Sequence, residues 1–328
     1  MLEPTTRKPI RRTLAWGALA ATVALLTAAA GPMAVAAGRT GTTPGLRHIA
    51  NIKAGVAPLA SNLTYHGGAV MRNTSTTYAI FWEPSKLQTG QATHVSSTYN
   101  SLIQRYFGDV GGKGLYNVNT QYYQRVGGQN QYIVNSSTLG GAWVDRSPYP
   151  ASGCVDPLTP GNCLSDAQIQ AEVRKAMSTK GWTGGLTHLF FVFTSYGEGS
   201  CADVITCAFT YYCAYHSYFS SGGTVLYANM PYTGTDLNGC GTPTSPNNDF
   251  DADSTINVTS HEHMEAVTDP RLNAWYDSSG NENGDKCAWN FGPMRYDGGR
   301  ANQSWNGHYY ILQMEWDNKI SNCAQSGP

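Results

Sequence analysis

Eight cysteines constrain this 328-residue chain more than any other feature: Cys154, Cys163, Cys201, Cys207, Cys213, Cys240, Cys287 and Cys323. None precedes position 154, and their number is even, which is the pattern of a disulfide framework built in an oxidising compartment. Four bridges are expected. Spacing leaves the pairing open, because eight cysteines allow about a hundred connectivities, and only Cys154 with Cys163 and Cys287 with Cys323 are suggested by position. A zinc cluster of Cys201, Cys207 and Cys213 is the weaker reading, since their even five-residue gaps do not match a usual zinc-finger spacing.

The beginning of the chain supports an exported location. Arg7, Lys8, Arg11 and Arg12 precede an uncharged apolar run from Leu14 to Ala30, and Ala34-Val35-Ala36 follows as a small-x-small cleavage site. A signal peptide spanning 1–36 is therefore expected. A membrane anchor is the rival, but the run is short and mostly alanine, so no stable membrane span is expected after cleavage. Arg11-Arg12-Thr13-Leu14 also resembles a twin-arginine export signal, which leaves the export route open. Residues 37–61 are rich in Gly, Thr, Pro and Ala without periodicity and read as a linker or short pro-segment. Residues 62–328 read as a single domain.

Composition excludes some partners. With 21 basic against 22 acidic residues the chain carries no positive excess for phosphates, so nucleic acid is not an expected partner. Hydrophobic residues make up 41% and include 20 Tyr, 8 Trp and 9 Phe, which argues for a packed core and against disorder.

Periodicity places a helix over His94–Phe107, ending at Gly108, with Val95, Tyr99, Leu102, Ile103 and Tyr106 on one face. A second helix is marked by a Ser165/Gln168 capping box, by Ile169, Val173 and Met177, and by Gly181 as the stop. Strands are expected at 77–82, 186–194 and 224–228, with a late one at 309–316, and a long loop over 232–248. The fold class expected is α+β: a mixed sheet, a few helices, long disulfide-linked loops and a zincin-like helix.

That third helix, expected over Asp253–Pro270, carries His261-Glu262-His263-Met264-Glu265. At 100° per residue, His261 and Glu265 lie about 40° apart, Glu262 about 100° from His261, and His263 about 200° away on the opposite side. His261 and Glu265 can thus hold one cation, with Glu262 beside them as a base for bound water. This is the H-E-x-x-H zinc-peptidase arrangement with Glu in place of the second His. The anionic substitute makes the bound water less acidic and brings manganese or calcium within range, although Zn2+ is the ion expected. The structural alternative is a solvated acidic helix face or a hydrogen-bonded core histidine.

A third ligand is sought among Asp269, Asp277, Glu282 and Asp285. Asp285 is preferred, because its separation from His261 is similar to that of the first and third ligands of thermolysin-like peptidases. The alternation Asp277-x-Ser279-x-Asn281-x-Asn283-x-Asp285 also suggests a structural Ca2+ loop or a polar turn, but Glu282 stands where an EF-hand needs Gly and Ala288 where it needs Glu. Asp249, Asp251 and Asp253 read as ion ligands or as caps of the helix. His308, Tyr309 and Tyr310 are candidates by residue type for stabilising an oxyanion, His308 first. A serine hydrolase lacks its G-x-S-x-G elbow, and a cysteine nucleophile conflicts with the even cysteine count. Tyr211, Tyr212, Tyr215, Tyr218 and Phe219 read as core aromatics or as a sugar-stacking surface.

Tyr65-His66-Gly67-Gly68, the Ser165 helix, the 186–194 strand, Pro246-Asn247-Asn248-Asp249 and the segment from Tyr309 to Cys323 are similar to the exported phosphate-induced protein family, whose plant members include Exordium. The resemblance covers most of the mature chain through short motifs. It implies a secreted, cell-wall-associated protein and polysaccharide as a partner, with no assigned catalytic activity. The plant members lack the His-Glu-x-x-Glu residues at the segment matching Ser260 to Pro270, so no catalytic residue carries over. From the residues, the expectation is a secreted zinc endopeptidase acting on protein or peptide; from the resemblance, a noncatalytic cell-wall or carbohydrate-binding protein.

Overall fold

A computed structural model describes residues 61–327. The expected signal peptide, and the expected linker apart from Ser61, lie outside the described residues. Among the described residues no helix is long and apolar enough to cross a membrane.

The framework is a five-stranded sheet assembled from β1 (Ser75–Trp82), β2 (Ser137–Asp145), β3 (His188–Phe193), β4 (Tyr215–Ser220) and β5 (Thr224–Met230), in the order β2-β1-β3-β5-β4. The first four of these positions run parallel, and only the edge strand β4 is antiparallel to its neighbour. Parallel pairing needs long crossovers, and the intervening segments hold α1 (Tyr99–Asp109) and α2 (Asp166–Lys180). The fold is α+β, with helices and mixed sheets.

Alternation along β3 assigns the two faces. Phe190 stacks with Tyr78 and sits near Trp182, which follows α2. Phe191 turns the other way, against Phe107 of α1 and His263 of the third helix, α3 (Phe250–Thr268). Period-two alternation on β4 likewise sends Tyr215 and Phe219 toward Tyr227 on the α2 face, and His216 toward α3.

The sequence signals for α2 are realised: Gln168 Oε1 accepts from Ser165 N at 2.8 Å, and Gly181 ends the helix at φ 69°, where a side chain is disfavoured. Two boundaries differ. Helix α1 begins at Tyr99 and passes through Gly108 to Asp109. Helix α3 begins three residues early, because Asp249 caps it by accepting from Ala252 N at 3.0 Å. Asp249 therefore serves as a cap, and it also accepts from Ser96 Oγ at 2.6 Å.

The expected late strand over 309–316 is instead divided between two hairpins, His308–Tyr310 with Gln303–Trp305 and Glu315–Asp317 with Asn322–Ala324. Side chains capture the backbone between them: Asn302 Oδ1 accepts from Leu312 N at 3.0 Å, and Asn257 Oδ1 of α3 accepts from Gln313 N at 2.8 Å. The segment 232–248, expected as loop, contains two short helical turns, Thr233–Asp236 and Leu237–Cys240.

All eight cysteines are paired, as Cys154–Cys163, Cys201–Cys207, Cys213–Cys240 and Cys287–Cys323. Both suggested pairings form, and the cysteine metal cluster is excluded because its thiols are consumed in bridges. Tyr212 and Tyr215 are core residues, while Tyr211 is exposed.

Phe191 is wholly buried where sheet and helices meet, so Phe191→Ala should cost about 3–5 kcal/mol of unfolding free energy. Val204→Ala, at a residue 90% exposed, should stay within about 0.5 kcal/mol. Urea midpoints at unchanged m-value check both.

Candidate metal centre

Helix α3 has no solvent-exposed side from Ala252 to Thr268. A helix this polar can be buried only if its side chains find partners in the protein. His263 does so on the sheet face: its Nε2 lies 3.2 Å from Ser75 Oγ, and the rings of Tyr106, Tyr116, Phe107 and Phe191 surround it. Burial lowers its pKa to about 3, so it is a neutral core histidine on the side opposite His261, as the helical angles require.

The other face gathers the charge. His261 Nε2 lies 3.0 Å from Glu265 Oε1 and 3.7 Å from Asp285 Oδ1, and donor atoms of these three residues all fall within 4.8 Å of one another. Four ligands around zinc at about 2.0–2.1 Å are separated by about 3.3 Å, so these separations are of the size that tetrahedral coordination requires. The donor set fits a cation. Asp285, the preferred third ligand, is brought to His261 by a tight turn: its backbone N donates to Glu265 Oε1 at 2.9 Å, and its Oδ2 accepts from Glu282 N at 3.1 Å.

Gln313 Nε2 lies 3.1 Å from His261 Nδ1, while the same amide's oxygen accepts from Trp289 N. With the amide in that orientation a neutral His261 accepts at Nδ1 and carries its proton on Nε2, facing Glu265. Cation binding at Nε2 places the proton on Nδ1 and calls for the opposite amide orientation.

Glu262 also lies in this region, but it is turned toward a residue that spacing did not reveal. His216 of β4 presents Nδ1 at 3.2 Å from Glu262 Oε2 and 3.7 Å from Glu265 Oε2. Its Nε2 lies 3.4 Å from Asp269 O and 3.8 Å from Glu282 Oε2. Glu315, on a later hairpin, is wholly buried, and electrostatically it feels His261, Glu265 and Asp285. The carboxylates crowd one another. Burial, then Asp285, raises the pKa of Glu265; burial, then Glu265 and Asp269, raises Glu282 well above the usual range. Burial opposes charge on His261, yet Glu265, Asp285 and Glu262 outweigh it and push its pKa well up.

The remaining sequence candidates go elsewhere. His308 Nδ1 pairs with Asp109 Oδ2 at 2.6 Å, and the same carboxylate accepts from Tyr310 at 2.6 Å and, through Oδ1, from Asn306 at 2.8 Å. These contacts bind a hairpin to the end of α1, and His308 is not among the clustered donors. Asp277 Oδ1 accepts from Ser279 N at 2.8 Å and Asn281 N at 3.0 Å, so it closes a polar turn, while Asp285 is committed to His261. Asp253 accepts from Ser245 Oγ at 2.6 Å.

His216, Glu315, Gln313 and Gly284 were not legible as site residues. Only Gly284 left a signal, a glycine within the acidic loop. A side chain there would come within 2.9 Å of both Glu265 Oε1 and His261 Nδ1. The disulfide Cys287–Cys323 ties this loop to the hairpin that carries Glu315, since Cys323 is the strand partner of Trp316.

In the comparisons with known proteins, no family model, no curated protein and no solved structure matches the chain.

Gly284→Ala should lower affinity for the cation about 10–100-fold by displacing His261 and Glu265, as equilibrium dialysis against zinc would register. A second outcome concerns pH. Burial holds the folded-state pKa of Glu315 well above the unfolded value of about 4.3, so the folded form keeps a proton that the unfolded chain releases. Its stabilising contribution is full below that unfolded value and falls as pH rises, at about 1.4 kcal/mol per unit, until the folded pKa is passed. In chelator-stripped protein, Glu315→Gln should therefore reduce the loss of stability between pH 5 and pH 8, read from urea midpoints.

Proposed function

We propose that this chain is an exported metal-dependent hydrolase of the zinc endopeptidase type. The convergence of His261, Glu265 and Asp285 on one point, from a helix and a distant loop, carries the reading. These residues would hold the ion, which when bound supplies an acidified water and a polarising charge. One neutral and two anionic ligands reduce the charge available to acidify water, and they widen the set of acceptable cations toward manganese. Glu262, next to His261 in sequence, is the base: it takes the proton from water as the water oxygen bonds to the substrate carbonyl carbon. It then passes that proton to the amide nitrogen as the carbon–nitrogen bond breaks. His216, 3.2 Å away, orients the carboxylate for this role. Protein or peptide is the substrate class. Export is the expectation from the signal-peptide pattern of residues 1–36, and the four disulfides, which form and persist in oxidising compartments, are compatible with it.

One observation favours a second reading. His261, Glu262 and Glu265 have no exposed surface, and a catalytic site must admit its substrate. A cation sealed here would be structural, in a noncatalytic cell-wall or carbohydrate-binding protein of the kind to which the sequence bears its resemblance.

Glu262→Gln decides between them. As a hydrolase, the variant should cleave an unfolded protein substrate at least ~100-fold more slowly while keeping the cation at His261. Undiminished cleavage by that variant would end the base assignment. A wild-type protein that binds zinc, cleaves nothing and is retained on polysaccharide after chelation would establish the structural reading.

A further inference from the structure

We propose a second cation site on the far side of Glu265, held by His216 Nδ1, Glu262 and Glu265 Oε2, so that Glu265 bridges two cations. The inference rests on the hydrolase reading for its consequence but not for its geometry.

Three observations support it. First, the two oxygens of Glu265 face two different imidazoles: Oε1 lies 3.0 Å from His261 Nε2, and Oε2 lies 3.7 Å from His216 Nδ1. Glu265 is fully buried, and its Oε2 makes no hydrogen bond although it is aimed at His216. Second, donor atoms of His216, Glu262 and Glu265 all lie within 4.8 Å of one another. The separations of 3.2 and 3.7 Å from His216 are again of the size, about 3.3 Å, expected between ligands of one small cation. Third, His216 is oriented as a ligand. Its Nε2 lies 3.4 Å from the backbone carbonyl of Asp269, so the tautomer with the proton on Nε2 is the one that would offer Nδ1 to a cation beside the two carboxylates. A cation here would displace the proton that His216 Nδ1 shares with Glu262 Oε2 at 3.2 Å.

The two sites draw on different elements. His261 and Asp285 come from α3 and the loop after it; His216 comes from the antiparallel edge strand β4. A cation bridged through one carboxylate lies about 3.5–4 Å from its neighbour, the usual spacing of two-metal centres. The consequence for hydrolysis is regulatory. A cation on Glu262 withdraws the carboxylate that takes the proton, so excess metal should inhibit an enzyme that the first ion activates.

Zinc alone is the probe, with bound metal counted per chain after equilibrium dialysis of the disulfide-intact protein at rising zinc concentration. Wild type should take up two ions in two steps. His216→Gln, chosen for its similar length and checked by near-ultraviolet circular dichroism, should take up one and lose inhibition by excess zinc. His216→Asn provides a second variant if the first does not fold. A single ion in wild type that disappears in His261→Ala and persists in His216→Gln would overturn the second site and leave the hydrolase centre standing. A single ion with the opposite dependence would keep the His216 site and overturn the hydrolase centre. Two ions retained in His216→Gln would place the second elsewhere and refute the assignment, and no bound zinc in wild type would remove both sites.

Discussion

The molecule is organised around a constraint that few helices meet: α3 is polar on most of its circumference and buried along nearly its whole length. Burying a polar group without a partner costs more than a hydrogen bond returns, so the surrounding elements supply partners at almost every turn. Ser75 and the Tyr106 and Tyr116 region take His263; Thr242 donates to Ser254; Tyr99 donates to Thr255; the backbone of Gln313 donates to Asn257. The break in the strand after Tyr310 is linked to this demand at one point, where Gln313 N is committed to Asn257 of the helix rather than to a ladder.

At the His261 face, hydrogen bonds between neutral groups do not suffice. Glu262, Glu265, Asp269, Glu282, Asp285 and Glu315 are buried near two imidazoles, His216 and His261. Mutual repulsion and desolvation both favour protonated carboxylates, and a small cation relieves both at once. The proposed cation would take the place of those protons. The loop carrying Asp285 and the hairpin carrying Glu315 are joined covalently by the Cys287–Cys323 disulfide.

Much of the frame was readable in advance. Apolar runs marked β1, β3 and β5, the capping box and Gly181 marked α2, and helical angles separated His263 from His261. These are local signals, because they depend on the periodicity of one segment and on the backbone preferences of single residues. Strand β2, with its Gly140-Gly141 pair, and strand β4, with His216 and Ser217 among aromatics, carried no such pattern. Whether those segments form strands is decided by the neighbours they pair with.

The sequence by itself determined that one helical turn would present an imidazole and a carboxylate on the same side, since that follows from a rise and rotation common to all α-helices. It also narrowed the distant ligand to four acids. Only the tertiary structure brought Asp285, the acid preferred from the sequence, to 3.7 Å from His261, sent His308 to Asp109 and brought His216 from an edge strand to Glu262 and Glu265. The reason is separation along the chain: contacts between remote segments are set by sheet order, crossover packing and disulfide closure, none of which leaves a periodic trace in the residues that finally meet.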